Sequence, residues 1–302
     1  MPTITSQGAM SVRAFGFGSM TDGKFAIFTQ GGTGCFATTL SAVRNKYTYS
    51  SCTSTTAASA SAASGGGHAV GNSTRGIFAL GYTGSFVATR NKYTYASCTS
   101  AAATASSAVT RGGSAAGNST RGIMVLGNCT KTRNKYTYAC CTSIVTTASP
   151  CFNWYGSATG NSTRGIFQIG GCPTITTRTK YTYASDTNSA ATAASAATGS
   201  GSATGNSTRG IFQIGTTTTR NKYTYACDAS TATGVAAASA SSTGGSGAGN
   251  STRGIFQIGS GATTRNKYTY ASCTSTATGV AVSSTTTSYT SATSWAVCVN
   301  TP

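Results

Sequence analysis

A unit of roughly 45 residues occurs six times in this chain of 302 residues, and no other feature of the sequence constrains the fold as strongly. Each unit contains two short blocks, the first reading GNSTRGIF and the second RNKYTY. Copies of the first block occupy Gly71–Phe78, Gly160–Phe167, Gly205–Phe212 and Gly249–Phe256, with a variant at Gly117–Met124 and a degenerate copy, GSMTDGKF, at Gly18–Phe25. Copies of the second block begin at Arg44, Arg90, Arg133, Arg178 (as RTKYTY), Arg220 and Arg265. This repetition indicates one domain whose core is shared between the units.

Both blocks predict β-strands. The segment RGIFQIG is short and apolar with a glycine at each end, which is typical of a buried strand. In KYTY the two tyrosines are separated by one residue, so we expect both rings on one sheet face as packed core and the lysine on the opposite face. The Ser/Thr/Ala/Gly segment that follows has room for one or two further strands, and no helical periodicity of apolar residues is present.

Up to four short strands in roughly 45 residues predict one blade of a β-propeller, so we expect an all-β, six-bladed propeller formed by a single domain over residues 1–302. The repeats cover residues 10–60, 61–106, 107–149, 150–194, 195–238 and 239–285, and residues 286–302 provide a closing strand. In this arrangement Ser288–Val299 pairs with the N-terminal strand and removes a free sheet edge. The alternative is a β-solenoid or fibrous stack, which is also built from repeats but usually from shorter coils.

The order of these blocks resembles a kelch-type blade, in which a glycine-ended apolar strand is followed by a strand that carries an aromatic residue. It is more closely similar to the kelch-like tandem repeats of bacteriophage tail and virion structural proteins, with their recurring STRG-aromatic strand. The likeness covers about Gly18 to Thr276, although most units lack the double glycine and the recurrent tryptophan of kelch repeats. It implies a propeller on a phage particle, in a tail, fibre, collar or capsid, that serves display, host attachment or assembly.

The chain carries 21 lysine and arginine residues but only three acids, Asp22, Asp186 and Asp228, so ion pairs within the chain cannot neutralise most of the cations. Two sets form a candidate anion-facing or blade-end basic ring: Arg75, Arg121, Arg164, Arg209 and Arg253, and Lys46, Lys92, Lys135, Lys180, Lys222 and Lys267. The six arginines that begin the second block form a further set. We expect these sets either to concentrate positive potential on one face or in the central channel, or to bond blade-end carbonyls and stack on tyrosine.

The sequence favours a non-enzymatic protein with no catalytic residues, no metal site and no cofactor. A histidine-based metal site or catalytic triad would have to depend on the single histidine, His68, which we expect at the surface because it follows three glycines. Asp186 and Asp228 occupy equivalent places in neighbouring units, where the other four units have cysteine. We interpret that position as a structural one.

Eleven cysteines recur at a few places in the units and are candidates for disulfides or intermolecular cross-links. They are Cys35, Cys52, Cys98, Cys129, Cys140, Cys141, Cys151, Cys172, Cys227, Cys273 and Cys298. A cysteine in a hairpin turn that paired with one after KYTY would join blades covalently, and the odd total leaves one thiol for a bond between chains. The alternative is that the cysteines are small buried hydrophobic residues.

Five NST triplets match the acceptor pattern for N-glycosylation. They begin at Asn72, Asn118, Asn161, Asn206 and Asn250. Because each stands at the same place before an apolar strand, we interpret them as polar turns.

We therefore expect a virion structural protein that mediates assembly or host-surface attachment and is stabilised by disulfides. Its expected partners are other virion proteins, in a homo-oligomer or in many copies, with an acidic host-surface glycan as a further candidate. The alternatives are a carbohydrate-binding, lectin-type propeller and a cationic, nucleic-acid-binding propeller. The N-terminal segment lacks the pattern of a secretory signal, and no apolar stretch is long enough for a membrane-spanning helix. We expect synthesis in a host cytoplasm and localisation in an extracellular particle, without membrane insertion.

Overall fold

In a computed structural model the chain forms six antiparallel sheets of four strands each, arranged as a six-bladed β-propeller, which confirms the predicted fold. The structure describes residues 24–31, 39–171, 173–286 and 290–294. No helix occurs among them, so this part of the chain has no helix that could cross a membrane.

Each blade is one sheet, with strands that follow one another in chain order from the propeller axis outwards. Blade 1 contains β1 (Phe25–Thr29), β2 (Arg44–Thr48) and β3 (Thr53–Ala57). Blade 2 contains β4 (His68–Gly71), β5 (Arg75–Ala79), β6 (Arg90–Thr94) and β7 (Thr99–Ala103). Blade 3 contains β8 (Ser114–Gly117), β9 (Arg121–Val125), β10 (Arg133–Thr137) and β11 (Thr142–Thr146). Blade 4 contains β12 (Ser157–Gly160), β13 (Arg164–Gln168), β14 (Arg178–Thr182) and β15 (Thr187–Ala191). Blade 5 contains β16 (Ser202–Gly205), β17 (Arg209–Gln213), β18 (Arg220–Thr224) and β19 (Ala229–Thr231). Blade 6 contains β20 (Ser246–Gly249), β21 (Arg253–Gln257), β22 (Arg265–Thr269) and β23 (Thr274–Thr276), and β24 (Ser291–Ser294) completes blade 1.

The ring closes through the last strand of the chain. Strand β24 pairs antiparallel with β1, with Ser294 opposite Ala26 and Ser291 opposite Thr29. The innermost strand of blade 1 therefore comes from the C-terminal part of the chain, while its other three strands come from the N-terminal part. This pairing confirms the predicted closure, although Trp295 and the residues after it lie outside the described part of the chain.

The core lies between neighbouring blades, where the second and third strands of each sheet contribute the large side chains. Tyr136 and Tyr138 of blade 3, with ring centroids 5.9 Å apart, pack against Val70 and Ile77 of blade 2. Both tyrosines of every unit are buried, so the prediction that they form packed core is confirmed. Glycine, alanine and threonine on the facing strands leave space for these rings; a Cβ added to Gly122 would lie 2.9 Å from the Tyr138 hydroxyl oxygen.

The first unit differs in register from the sequence-based alignment. That alignment placed Phe25 at the last position of the first block, equivalent to Phe78. In the structure Phe28 takes the place of Phe78, opposite an asparagine, whereas Phe25 takes the place of Arg75, opposite a threonine. The prediction was wrong by three residues because either phenylalanine suits a buried strand, and only the pairing with β2 distinguishes them. The correction shortens the first repeat spacing from 53 to 50 residues.

The two faces of the ring carry different connections. The NST turns join the first strand of a blade to the second, and they lie beside the turns between the third and fourth strands, as shown by the hydrogen bond from Tyr138 N to Thr120 O (3.0 Å). We call this side the NST face. The opposite side, the linker face, carries the hairpins between the second and third strands and the connections from blade to blade.

A narrow cavity follows the propeller axis. It has a volume of about 100 Å³, and the described residues that line it are alanine, glycine, threonine and valine, with no charged side chain. At the linker face a second cavity of about 30 Å³ lies inside a ring of residues that donate backbone hydrogen bonds from blade to blade, as from Tyr155 N to Gly112 O (2.6 Å). These volumes hold a few water molecules at most. The described walls of the channel therefore do not concentrate positive charge, contrary to one of the expectations from the sequence.

Candidate functional site

The six arginines that begin the second block are buried between blades, and we call them the clamp arginines. In blade 4, Arg178 Nη1 donates to Ser230 Oγ (2.6 Å) and Nη2 donates to Asn221 Oδ1 (3.1 Å). The guanidinium carbon lies 4.5 Å from the ring centroid of Phe212. All three partners belong to blade 5, and Arg178 is 0% exposed. An arginine in this environment joins two blades through hydrogen bonds and a cation–π contact at once.

The same contact is repeated around the ring, including the closing junction. Arg265 of blade 6 donates to Ser54 Oγ (2.9 Å) and Asn45 Oδ1 (3.2 Å) of blade 1 and lies over the ring of Phe28. Burial lowers the pKa of each clamp arginine to about 10, because the interior disfavours the charged form. Four of these cations face phenylalanine, asparagine and serine inside the fold. Arg133 faces Phe167, Thr179 and Asn188, and Arg90 faces Asn134 and Ser143 where blade 3 has Met124 in place of phenylalanine. None of the six faces an external anion.

The arginines that begin the second strand of blades 2 to 6 lie nearer the surface, and we call them the rim arginines. Each donates from Nη1 to a tyrosine carbonyl of the following blade, at 2.8–3.1 Å. In blade 4, Arg164 also donates to Asp228 Oδ1 at 3.2 Å, and its side chain is 31% exposed. The predicted bonding to blade-end carbonyls is therefore present. Binding of an external anion by the rim arginines or by the six lysines of RNKYTY stays a prediction.

The residue that follows KYTY by three positions occupies a pocket between blades, which we call the slot. It is cysteine at Cys52, Cys98, Cys141 and Cys273 and aspartate at Asp186 and Asp228, and all six have φ between 50° and 55°. The left-handed backbone turns the side chain toward the preceding blade, where a rim arginine and a lysine of KYTY contact the aspartate in blades 4 and 5.

The two aspartate slots are ion-paired with the preceding blade. Asp186 accepts from Arg121 Nη1 (3.3 Å), from Lys135 Nζ, and from the hydroxyl of Tyr181 in its own blade (3.0 Å). Partial burial acts to raise the pKa of Asp186, but the hydrogen bonds from Lys135 and Tyr181 and the nearby charges outweigh it, so this pKa lies below its ordinary value. Asp228 has the equivalent partners in blades 4 and 5. The structural interpretation of this position agrees with these contacts.

All eight cysteines that the structure describes are free thiols. The disulfides predicted among Cys52, Cys98, Cys129, Cys140, Cys141, Cys151, Cys227 and Cys273 are therefore not supported, because the slot thiols point toward cations and tyrosines of the blade interface and not toward one another. The other three predicted candidates, Cys35, Cys172 and Cys298, lie outside the described residues.

The single histidine and the NST triplets both have structural environments. His68 begins β4 and is 4% exposed, so the expectation of a surface histidine was wrong. Burial lowers its pKa to about 3, and it is neutral at physiological pH. In the NST turns, Asn118 Oδ1 accepts from the backbone N–H groups of Thr120 and Arg121, and Asn118 Nδ2 donates to Ser162 O of the next blade (2.9 Å). These contacts confirm the interpretation of the triplets as turns.

One group of side chains on the linker face has no counterpart in the described parts of the other blades. Arg111, in the connection into blade 3, lies 5.3–5.9 Å from the ring centroids of four aromatic residues. They are Tyr82 and Phe86 from the hairpin of blade 2 and Trp154 and Tyr155 from the connection into blade 4. Arg111 Nε also donates to the Tyr155 hydroxyl (2.8 Å). We call these five residues the aromatic cluster.

An exposed pair includes Phe152, which lies two residues before Trp154 of the aromatic cluster. Phe152 is 56% exposed, and Lys131 Nζ lies 5.0 Å from its ring centroid. None of these residues was among the site residues predicted from the sequence. The available signal was their departure from the repeat: Arg111 and Trp154 stand where three other units have Gly65, Gly199 and Thr243.

No protein-family model matches this sequence, and no curated protein matches it. The evidence for the six-bladed propeller is therefore the structure itself, and the evidence for functional residues is the geometry of their side chains.

Proposed function

We propose that this protein is a non-enzymatic structural protein of a virus particle, of the kelch-like bacteriophage type, and that it binds another virion protein through its linker face. The proposal combines the likeness of the repeat to phage structural proteins with the position of the aromatic cluster. Its function is assembly of the particle or presentation of a host-attachment protein.

The observation that carries the proposal is the contrast between the aromatic cluster and the repeated NST face. The NST turns use the same asparagine contacts from blade to blade, so their chemistry offers no single place for a partner. Among the described residues, the linker face has one place, across blades 2 to 4, where tyrosine, tryptophan, phenylalanine and arginine meet. Tyrosine, tryptophan and arginine are the residue types enriched among those that contribute most of the binding energy of protein interfaces.

The ionisable groups support a binding protein over an enzyme, since the fold already uses them. Asp186 and Asp228 are each paired with two cations of the preceding blade, and His68 is buried and neutral. A general acid or base must reach its substrate with a proton to exchange. These three groups lie in the interfaces between blades, where they stabilise the ring.

The experiment measures incorporation of the chain into particles. Phe152→Ser removes an exposed ring two residues before Trp154 of the cluster, and we expect several-fold less protein per purified particle by quantitative mass spectrometry. The matched control is Val282→Ser, in the connection between blade 6 and β24, because Val282 is exposed to the same extent, 57% against 56%, but lies outside the cluster. Equal incorporation of the two variants would contradict the proposed contact.

A footprinting measurement tests the face directly. We expect Tyr82, Phe86 and Phe152 to be oxidised less by hydroxyl radicals in assembled particles than in the isolated chain. Cys227, exposed in a turn between third and fourth strands, serves as the control and should react equally in both samples. If the isolated chain instead bound a glycan array and Phe152→Ser abolished that binding, the lectin-type alternative would replace the proposal.

A further inference from the structure

The slot between blades accepts two kinds of side chain in one geometry. Aspartate fills it in blades 4 and 5 and cysteine fills it in blades 1, 2, 3 and 6, with the same left-handed backbone conformation. In an otherwise repeated interface, this is a direct comparison between a carboxylate and a thiol in the same surroundings.

The aspartate slots show that the surroundings suit an anion. Asp228 receives a hydrogen bond from Arg164 Nη1 (3.2 Å), one from Lys180 Nζ and one from the Tyr223 hydroxyl (3.0 Å). Three donors, two of them charged, converge on one carboxylate, which is the arrangement that forms short and strong hydrogen bonds.

Two cysteine slots show the rim arginine beside a thiol, which is a poorer acceptor than a carboxylate. Arg75 Nη1 lies 3.1 Å from Cys141 Sγ, and Arg209 Nη1 lies 3.8 Å from Cys273 Sγ. The tyrosines next to these thiols, Tyr136 and Tyr268, are 0% exposed, and their hydroxyls face the slot sulfur without a well-formed hydrogen bond. A buried donor without a partner costs free energy, and a thiol sulfur is only a weak acceptor.

Cys52 lies in a slot of the same kind. The buried hydroxyl of its neighbour Tyr47 likewise faces the sulfur without a well-formed hydrogen bond, and Arg253 donates to Tyr49 O beside it (3.0 Å). Three slots therefore combine a thiol, a rim arginine and a tyrosine hydroxyl that lacks a strong acceptor.

We infer that Cys52, Cys141 and Cys273 are sites of oxidation by peroxides to cysteine sulfinate, and that the sulfinate takes the role that the carboxylate has in blades 4 and 5. A sulfinate carries one negative charge and two oxygens on the atom bonded to Cβ, as the carboxylate of aspartate does. It gives the tyrosine hydroxyl and the rim arginine the acceptor that the thiol lacks.

The chemistry requires two equivalents of hydrogen peroxide. In the first step the sulfur, having lost its proton, attacks one peroxide oxygen; an S–O bond forms, the O–O bond breaks, and the departing hydroxide takes up a proton to become water. The sulfenic acid repeats this step with a second peroxide and gives the sulfinic acid and a second water. Sulfur loses four electrons in total, and the two O–O bonds accept them.

Cys98 provides a control within the same chain. Its slot lacks a rim arginine, because Phe25 stands in the place of Arg75 and packs edge-on against Tyr95 at 5.7 Å. Cys98 is exposed, whereas Cys52, Cys141 and Cys273 are half-buried. Exposure alone therefore predicts more oxidation at Cys98, and the anion site predicts more sulfinate at the other three.

The test treats the purified full chain with hydrogen peroxide and measures sulfinate at each cysteine by peptide mass spectrometry. We expect several-fold more sulfinate at Cys141 and Cys273 than at Cys98 or at Cys227, which stands beside a slot already filled by Asp228. Sulfinate that appeared first at Cys98 and Cys227 would show that exposure controls the reaction, and the inference would be wrong.

Two variants make the test specific. Arg75→Gln should reduce sulfinate at Cys141 several-fold and leave Cys273 unchanged; an equal yield at Cys141 overturns the role of the arginine. Cys141→Asp mimics the product without any oxidant and should raise the melting temperature by about 2 °C, as expected for a half-exposed ion pair in a chain of this size. A lower melting temperature for this variant would overturn the inference even if Arg75→Gln did not fold.

Discussion

Two rings of arginine cross the same blade interfaces and have different surroundings. The clamp arginines are 0–1% exposed and donate to polar side chains of the next blade, and five of the six also lie over a phenylalanine ring. The rim arginines are half-exposed and contact a carbonyl together with the slot residue. The first ring is enclosed by the fold and the second remains within reach of water and salt.

This difference shows why net charge is a poor guide to the surface of this protein. The formal charge is +18, yet six of its cations are inside the propeller and others are shared with the slots. A cationic, nucleic-acid-binding propeller requires those cations on an open face. We therefore expect stability to fall most when a clamp arginine is lost and least when a slot aspartate is lost.

The largest expected effect is the loss of a clamp arginine. Arg178→Met keeps the apolar stem over Phe212 but leaves Asn221, Ser230 and Gln168 without their donor. We expect the free energy of unfolding to fall by about 3 kcal/mol, measured by urea denaturation, because buried polar groups would lose their partner. The matched control is Arg164→Met in the same blade, which should cost about 1 kcal/mol or less. Equal losses would remove the distinction between the two rings.

The second-largest expected effect is a loss of stability in acid that is caused by the buried histidine. The pKa of His68 is lowered to about 3 by burial, whereas an unfolded histidine titrates near 6.5. The unfolded chain therefore binds this proton more readily, and stability falls as the pH is lowered from about 6.5 toward 3. We expect a loss of roughly 2 kcal/mol between pH 6.5 and pH 4.5. His68→Gln should remove most of this slope in urea unfolding at the two pH values; an unchanged slope would mean that other groups cause it.

The smallest effect is expected at the slot. Asp228→Asn removes the charge that Arg164 and Lys180 share, but the side chain is 33% exposed and water screens the pair. We expect a loss of about 1 kcal/mol at low salt that decreases in 1 M sodium chloride, measured by thermal unfolding. The pKa of Asp228 lies below its ordinary value, so its contribution is present at neutral pH and is lost as the solution becomes strongly acidic. If the loss of stability were the same at low salt and in 1 M sodium chloride, Asp228 would behave as a buried group and the prediction would be wrong.

Much of the fold could be predicted from the sequence because the same pattern of strands and turns occurs in six units. Four strands per unit, the paired tyrosines, the NST turns and the closing strand each follow from a local pattern that recurs or from the need to remove a sheet edge. The one error of register came in the first unit, where the pattern is degenerate and Phe25 and Phe28 compete for one position.

The candidate site was harder to predict because its parts are separated along the chain. Tyr82, Arg111 and Trp154 belong to three blades and become neighbours only when the ring forms. The burial of the clamp arginines and of His68 likewise depends on the next blade, and residue type alone indicates the surface. Local patterns identify strands, whereas contacts between units require the assembled ring.

The direction of the clamp contacts has a consequence for pieces of the chain. Every described blade presents its arginine to the blade that follows and its asparagine or threonine acceptor to the blade that precedes. An open run of blades therefore ends in two complementary surfaces, one with a donor and one with an acceptor. Such fragments can add to one another head to tail, and because the junctions are so alike, the covalent order of the units, more than recognition between them, decides which blade meets which.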